Sequence, residues 1–591
     1  LTASPSYMKG RITMNNMLEE QALLRWRLEQ LENQFSPLHS MIKEKYTTNG
    51  YHTALQNVEQ VHSIRSSIEY AQGLLDTGLT DAEDRAFAVI RQIVSLQDHD
   101  PASVTYGIWS YYLEEPLSSM RPPDWNWADF IGKVLLTTVI RHKHRMPAEL
   151  LEKVRESVFH ACESIIRRNM GPHYTNIAIM GSFVTLLAGE VFQNPRYLDY
   201  GLQKFEAFHQ YASRTRTFQE YNSPTYTKVA IIELSRIRSA TKVSRALEIC
   251  EDMLNLAWEG VARHFHASTG QWAGPHSRCY STLLPDAARA FLQLALEGEL
   301  DFCAPADMFY DLEWYNLGIS CPEPYRALFR EAAEREVREV YYRSKDGYEK
   351  TAVTYMTTRY ALGSASKEVM WNQRRNLLAY VDGPGGTVYA ALRMLHDGYD
   401  FSAPVFSAEQ RKGNVLCGLQ LSLNGGDTHI GLDRIDGGIQ AEDLRLRLEI
   451  GGSLDGVTAN AVDGGAVVSI GGVKLSLRGL YTRFAGGATS LVQNPEWEVV
   501  HSGDTLCLDL VLYSGERRRI DFTALDEAMV VFTLSVREDE GRDSSPDSFC
   551  VTMSAAGNGE EVAASWSTED GELVLNLRLK PDMVEALRGQ D

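Results

Sequence analysis

Basic charge is in deficit in this chain of 591 residues: 58 Lys and Arg face 78 Asp and Glu, a net charge of −20. A chain that acidic has no general attraction for a polyanion, and no local basic patch is visible, so nucleic acid is not an expected partner. No stretch approaches the roughly 18 uncharged apolar residues of a membrane span, so no membrane partner is expected either. The eight cysteines are scattered without a CxxC pair, which argues against a disulfide frame and a zinc knuckle and for reduced thiols. Neither a GxGxxG after a strand pattern nor a GxxxxGK followed by Ser or Thr occurs, which sets aside dinucleotide and P-loop chemistry, and no cofactor is expected. A repeat of fixed period is also missing, against tetratricopeptide or HEAT arrays. The first residues, Leu1–Met8, lack a basic stretch followed by an apolar one. The expected location is therefore cytoplasmic, while a start other than Met leaves secretion open.

What is present is an ordinary globular composition, 44% hydrophobic and 23% charged, enough for a large core. Glycine divides the chain, with 16 in residues 1–350 and 29 in the shorter remainder. Up to about residue 343 the spacing of apolar residues predicts helices over 17–35, 58–75, 80–96, 148–168, 176–192, 197–215, 225–237, 243–264, 284–297 and 325–342. From about Gly347, short alternating runs (387–394, 416–423, 444–450, 467–477, 506–513, 529–536, 573–579) are separated by Asn-Gly, Gly-Gly and Asp-Gly turns. Helices first and strands afterwards indicate an α+β multidomain chain: helical hairpins over 1–345, then an antiparallel β-sandwich over 346–591.

Four segments of the helical part combine polar and aromatic residues. Tyr106–Asp129 carries Trp109, Trp125 and Trp127, whose faces suit stacking on sugar rings, beside Asp124 and Glu114, which suit their hydroxyls. Gly171–Phe192 places His173 and Asn176 at the start of an apolar helix, where backbone N–H groups favour anions; helix capping is the plainer role for Asn176. In Phe218–Leu234, Ser223-Pro224 is a helix start, but capping does not require Glu220, Asn222 or Tyr226. A phenol there can exchange protons if an arginine lowers its pKa; a core tyrosine with one hydrogen bond is the alternative. In Gln271–Tyr280, beside Trp272, His276, Arg278 and Tyr280 alternate, and an extended loop would turn all three to one side.

The stretch Glu220-Tyr-Asn-Ser-Pro-Thr-Tyr226 resembles the SP-x-Y segment of the heparinase II/III and oligoalginate lyase superfamily, and Asn176 before a long apolar helix with Gly189 resembles that group's Asn-His helix. Thr354–Gly363 looks like the linking stretch of bacterial proteins of this architecture. The resemblance implies an (α/α) toroid followed by an antiparallel sandwich, with Tyr226 as the catalytic tyrosine and Asn176 as the amide on the substrate carboxylate. One departure stands out: Ile177 occupies the place of the usual histidine, so its role passes to His173 or His276, or the reaction is a different one.

The leading expectation is β-elimination on an anionic, uronate-containing poly- or oligosaccharide. Tyr226 would move the C5 proton, and Asn176 with Arg278 or His276 would stabilise the developing charge. The alternatives are a glycoside hydrolase using two of Glu220, Asp124, Glu114 and Asp286, and a non-catalytic carbohydrate-binding protein. His396, Asp397, Asp400, His429 and Asp433 lack the short spacing of metal ligands, so no metal is expected. The run Glu538–Asp547 reads as a solvated loop and Arg517–Arg519 as an exposed strand edge. An oligomer is left open.

Overall fold

The computed structural model describes residues 19–47, 52–304, 308–425, 435–486, 489–492, 496–539, 553–556 and 561–589. His429, Asp433, Cys550 and the run from residue 540 to Asp547 lie outside them. The chain forms two compact units: Leu1–Arg214, Lys228–Trp258 and Pro285–Pro322 make the first, and Thr215–Thr227, Glu259–Leu284 and Glu323–Asp591 the second.

The first unit is built from helical hairpins. Its helices are α1 (Glu20–Glu32), α2 (Ile64–Asp76), α3 (Glu83–Ser95), α4 (Trp127–His142), α5 (Ala148–Arg168), α6 (Thr175–Val191) and α7 (Pro195–Ser213). After these come α8 (Tyr226–Ala240), α9 (Ser244–His264) and α10 (Asp286–Ala295). Local chemistry starts several of them: the Ser63 hydroxyl accepts from the Ser66 N–H ahead of α2, and Asn194 caps α7, whose first residue is Pro195. α2 packs on α3, α4 on α5 and α6 on α7, while α2, α4 and α6 pack on one another in series. That arrangement explains the composition. From Thr175 to Gly189 every residue of α6 is buried, so it is apolar all round, whereas α3, α5 and α7 are amphipathic.

A cluster of charges is enclosed in this unit. The Lys133 ammonium of α4 lies 2.6 Å from Glu233 of α8 and 2.6 Å from Glu313. Arg236 bonds Glu233 at 3.0 Å, and Arg65 of α2 reaches Glu313 at 2.8 Å. Against the burial that would raise it, Lys133, Arg65 and Arg236 hold the Glu313 carboxyl well below the usual carboxylate range.

The second unit holds the sandwich. One sheet runs Trp497–Ser502, Thr505–Asp521, Gly438–Gly452, Gly386–His396, Leu377–Gly383, Tyr360–Ala365, Glu349–Met356 and Arg335–Arg343. The other runs Val457–Val462, Gly465–Ile470, Val473–Gly486, Glu527–Glu538, Asn414–Gln420, Val405–Arg411 and Glu368–Val369. All these pairings are antiparallel. Alternation sets the core: Leu444, Leu446, Leu448 and Ile450 are buried in it, together with Val415, Cys417 and Leu419 of the facing sheet. Arg517, Arg518 and Arg519 are exposed on the part of their strand that pairs only with Gly438–Gly452.

Several elements differ from the sequence expectation, among them the start of the helix expected over 58–75, where Gln60–Ser63 is a strand. Residues 325–342 do not form one helix: Glu323–Arg326 makes a single turn and Arg335–Arg343 is a strand. Its Glu-Val and Arg-Glu-Val spacing fits a period of two as well as a helical one, and pairing with Glu349–Met356 decides between them. Residues 467–477 are two strands of a hairpin, because Gly471 and Gly472 both take positive φ. α4 was masked by the Trp- and Pro-rich segment that leads into it. Among the described residues no helix is long and apolar enough to cross a membrane, and no three His, Cys, Asp or Glu side chains assemble as a metal site. His396 contacts the Gln440 carbonyl, Asp397 accepts from the Glu442 and Asp443 N–H groups, and Asp400 pairs with Arg393.

Removing one partner of the enclosed charge cluster strands the others without water. Lys133→Met is expected to lower unfolding stability by about 3–5 kcal/mol in urea denaturation, with the loss measured against wild type at neutral pH.

Candidate active site

Two of the segments singled out in the sequence lie side by side in the second unit. The Ser277 N–H donates to the Tyr221 carbonyl at 3.1 Å, and the Ser223 hydroxyl bonds the Arg278 carbonyl. The same hydroxyl accepts from the Tyr226 N–H at 2.9 Å and so starts α8. A third strip, the loop Trp371–Asn376, closes on them through Cys279 N–H to Gln373 O at 2.8 Å and a reciprocal His276–Arg375 backbone pair. Close approach to the sheet is possible because Gly363 has no side chain: a Cβ there would lie 1.8 Å from the Gly274 carbonyl oxygen.

These loops bring Tyr226, Arg278 and Tyr280 together. The Tyr226 hydroxyl is 2.7 Å from that of Tyr280 and accepts from Arg278 Nη2 at 3.0 Å. The Arg278 guanidinium lies 4.7 Å from the Tyr226 ring centre and 5.1 Å from that of Trp371. Its Nε donates to Gln373 Oε1 at 3.0 Å, and its Nη1 is 3.8 Å from the Glu220 carboxylate. Tyr226 is partly buried, whereas Tyr280 is 50% exposed, so the phenol pair leads from the interior to solvent. Burial pushes the Tyr226 phenol far above its ordinary value of 10; Arg278 works in the opposite direction and does not outweigh it. The arginine expected beside this tyrosine is thus present, but Tyr226 is a protonated phenol at rest.

Other candidates take structural posts. His276 does not turn to the same side as Arg278 and Tyr280: it is buried, with Nδ1 2.6 Å from the Asn222 carbonyl oxygen. A carbonyl only accepts, so Nδ1 carries the proton, and burial pushes the imidazole down to about 3. Asn222, with φ of 46°, spends its amide on the Ala273 and Pro275 carbonyls and on the indole N–H of buried Trp272. Trp371 and Gln373 were missed in the sequence. The signal was there, a polar and aromatic break, Met370–Asn376, between two apolar strands, but it lies in the strand-rich part of the chain.

In the first unit Asn176 is the second residue of α6 and is buried, while His173 is exposed in the turn before it. Trp109 is not a sugar platform: it is fully buried and its indole donates to the Ile93 carbonyl. Trp125 and Trp127 are partly exposed; Trp125 donates to the Val104 carbonyl and Trp127 leans on Tyr111, 4.6 Å between ring centres. Asp124 accepts from the Tyr111 hydroxyl at 2.7 Å and from the Asn126 N–H at 3.0 Å. Glu114 pairs with His62, and Asp286 is the first residue of α10.

Residues 35–291 match the model of a family described as a domain of unknown function (DUF8769). No curated protein sequence matches the chain. Among solved structures, the chondroitin AC lyase of Streptomyces coelicolor A3 in complex with chondroitin sulphate is similar over 96% of this chain and 85% of that one, with 12% identity and a TM-score of 0.50. Heparinase III is similar over 98% and 93%, at 11% identity and a TM-score of 0.42. A Paenibacillus xanthan lyase is similar over 94% and 61%, at 9% identity and a TM-score of 0.42. The fold is therefore that of the α/α-toroid polysaccharide lyases, a helical toroid followed by an antiparallel sandwich. The resemblance read from the sequence holds at the level of fold.

The neutral state of His276 has a measurable consequence. Its folded pKa is about 3 against 6.5 for an ordinary histidine, so its contribution is present above 6.5 and declines as pH falls towards 3. The His276 ring is expected to keep its neutral, Nδ1-protonated form between about pH 5 and 9, read by nitrogen NMR of the imidazole. His276→Gln should flatten the acid side of the stability profile.

Proposed function

We propose that the protein cleaves glycosidic bonds in an anionic, uronate-containing poly- or oligosaccharide by β-elimination. The observation that carries this reading is the Tyr226 hydroxyl held between Arg278 Nη2 and the half-exposed Tyr280 hydroxyl. Elimination needs one group that removes the C5 proton and returns a proton to the leaving O4, with positive charge nearby for the enolate. Tyr226 meets the first need. As a phenolate it takes the C5 proton, its charge supported by the Arg278 N–H and the Tyr280 O–H. As the phenol so formed it protonates O4, and the phenolate returns. Tyr280 gives the starting proton of Tyr226 a route to solvent. Arg278 meets the second need.

Three of the four carboxylates named for hydrolysis are engaged elsewhere, which lowers the weight of that reading. Glu220 faces Arg278, Glu114 pairs with His62, and Asp124 accepts from Tyr111 and Asn126.

The test is incubation with a panel of uronate glycans, following ultraviolet absorbance of the unsaturated product and reducing ends together. Both are expected to rise, and Tyr226→Phe to abolish both. Arg278→Lys is expected to cost about 100-fold or more in kcat/KM, because one preorganised donor to the developing charge is lost. Since burial lifts the Tyr226 pKa, the phenolate fraction grows with pH, and the rate should climb through the alkaline range. Reducing ends without absorbance would overturn elimination.

A further inference from the structure

Asp129 sits in the first turn of α4 at 2% exposure, and its Oδ1 has no hydrogen-bond partner among the described residues. Oδ1 presses on α6 at Gly181, where a Cβ would come within 2.9 Å of it. The side chain borders a cavity of about 20 Å3, room for one water, that Arg168, Ser182, Tyr200 and Lys204 also line. A buried carboxyl normally bonds a neighbour, and here two cations beside the same cavity are bonded elsewhere. Arg168, at the end of α5, donates to Asn126 Oδ1. Lys204 of α7 donates to Asn169 Oδ1 at 3.0 Å.

The groups facing Asp129 come from every element around it. α5 supplies Arg168 and the buried Cys162 thiol, α7 supplies Tyr200 and Lys204, and α4 supplies Lys133, with Asp124 just before it. α6 supplies no charged group there, only Ile177, Ala178, Gly181 and Ser182, and the Ser182 hydroxyl is spent on the Ala178 carbonyl.

We propose that Asp129 and Arg168 form a pH-operated latch on the turn that carries Trp125 and Trp127. When Asp129 is protonated it needs no ion partner, and Arg168 stays on Asn126, the residue between the two tryptophans. When Asp129 ionises, its carboxylate draws the Arg168 guanidinium across the cavity wall towards Oδ1, the Asn126 bond is given up, and the turn is released. The two states exchange near neutrality, because burial raises the Asp129 carboxyl to about 7 while Arg168 is the largest influence opposing it. A consequence for glycan cleavage rests on the proposed elimination; the latch itself does not.

The test is fluorine NMR of the full chain labelled with 5-fluorotryptophan, the Trp125 and Trp127 signals assigned by their Phe variants. Both signals are expected to shift with a midpoint of about 7. In Asp129→Asn they should stay at their acid-side positions at every pH, and in Arg168→Gln at their alkaline-side positions. A second readout is independent of these signals. The raised pKa means that folding favours the protonated form, so stability present near 3.8 declines as pH rises through about 7. Asp129→Asn should therefore unfold at higher urea than wild type at about pH 8 and at the same urea at about pH 4. Signals that titrate alike in wild type and Asp129→Asn, or that do not move in wild type between about pH 5 and 9, would overturn the latch. Neither readout involves a substrate, so a failed elimination assay leaves the test intact.

Discussion

Lys133, Glu233, Arg236 and Glu313 meet where water hardly reaches, with the half-exposed Arg65 closing the cluster from the solvent side, and the helical unit is arranged around that fact. Taking such charges out of water costs several kcal/mol per ion, and their mutual attraction repays it only in good geometry. Little net stability follows relative to an apolar core of the same volume. The large effect is on alternatives: sliding α4 against α8 or α2 by one turn would leave a buried charge alone. The cluster therefore sets helix register where oily contacts would tolerate slippage. Register matters because α4 begins at Trp127, so the turn that carries Trp125 and Trp127 takes its place from it.

The same contest between burial and charge governs the loops of the second unit, with a different winner. At Glu313 three cations overcome burial and keep the carboxylate ionised. At Tyr226 a single cation, Arg278, fails to do so, partly because Glu220 and Gln373 share its N–H groups. At His276 and Asp129 burial also prevails, making one ring permanently neutral and one carboxyl easy to protonate. One physical quantity, the number of opposite charges per desolvated group, orders all four cases.

Periodicity made most of the fold legible. α5 was expected with the bounds it has, and α6, α7 and α9 within a residue or two, since each carries a long apolar pattern. It misled at Arg335–Arg343, where alternating Val and Tyr between charges satisfies two periods, and at α4, whose Trp- and Pro-rich approach hid its start. In the site, the local motif was readable: Ser223 caps α8 and so places Tyr226 at its mouth. Arg278 and Tyr280 were found by residue type and spacing. What spacing could not say is that His276, two residues before Arg278, turns inward to hold Asn222. Nor could it show that Trp371 and Gln373, almost a hundred positions later, hold the arginine. Asp129 carried no sequence signal at all, because an acidic residue in a first helical turn is ordinary and its burial is a property of four packed helices.

The residue after Asn176 brings the chemistry to a point. Where the lyase resemblance implies a histidine, Ile177 is buried at 2% exposure, so no imidazole serves from that position. His276 cannot take over as a cation, since burial keeps it neutral. In the proposed elimination, positive charge for the enolate then falls on Arg278, and proton transfer on the Tyr226–Tyr280 pair. That places an unusual demand on one phenol. A tyrosine whose pKa is raised is rarely ionised near neutrality, yet once ionised it is a stronger base than an ordinary phenolate. The two effects pull the rate in opposite directions. Arg278 reconciles them, because a guanidinium that both donates to the phenol oxygen and lies over its ring gains most when that oxygen becomes negative. On the proposed elimination the site is thus set for the charged state of the reaction, not for the resting one, which is the direction in which catalytic stabilisation has to be spent.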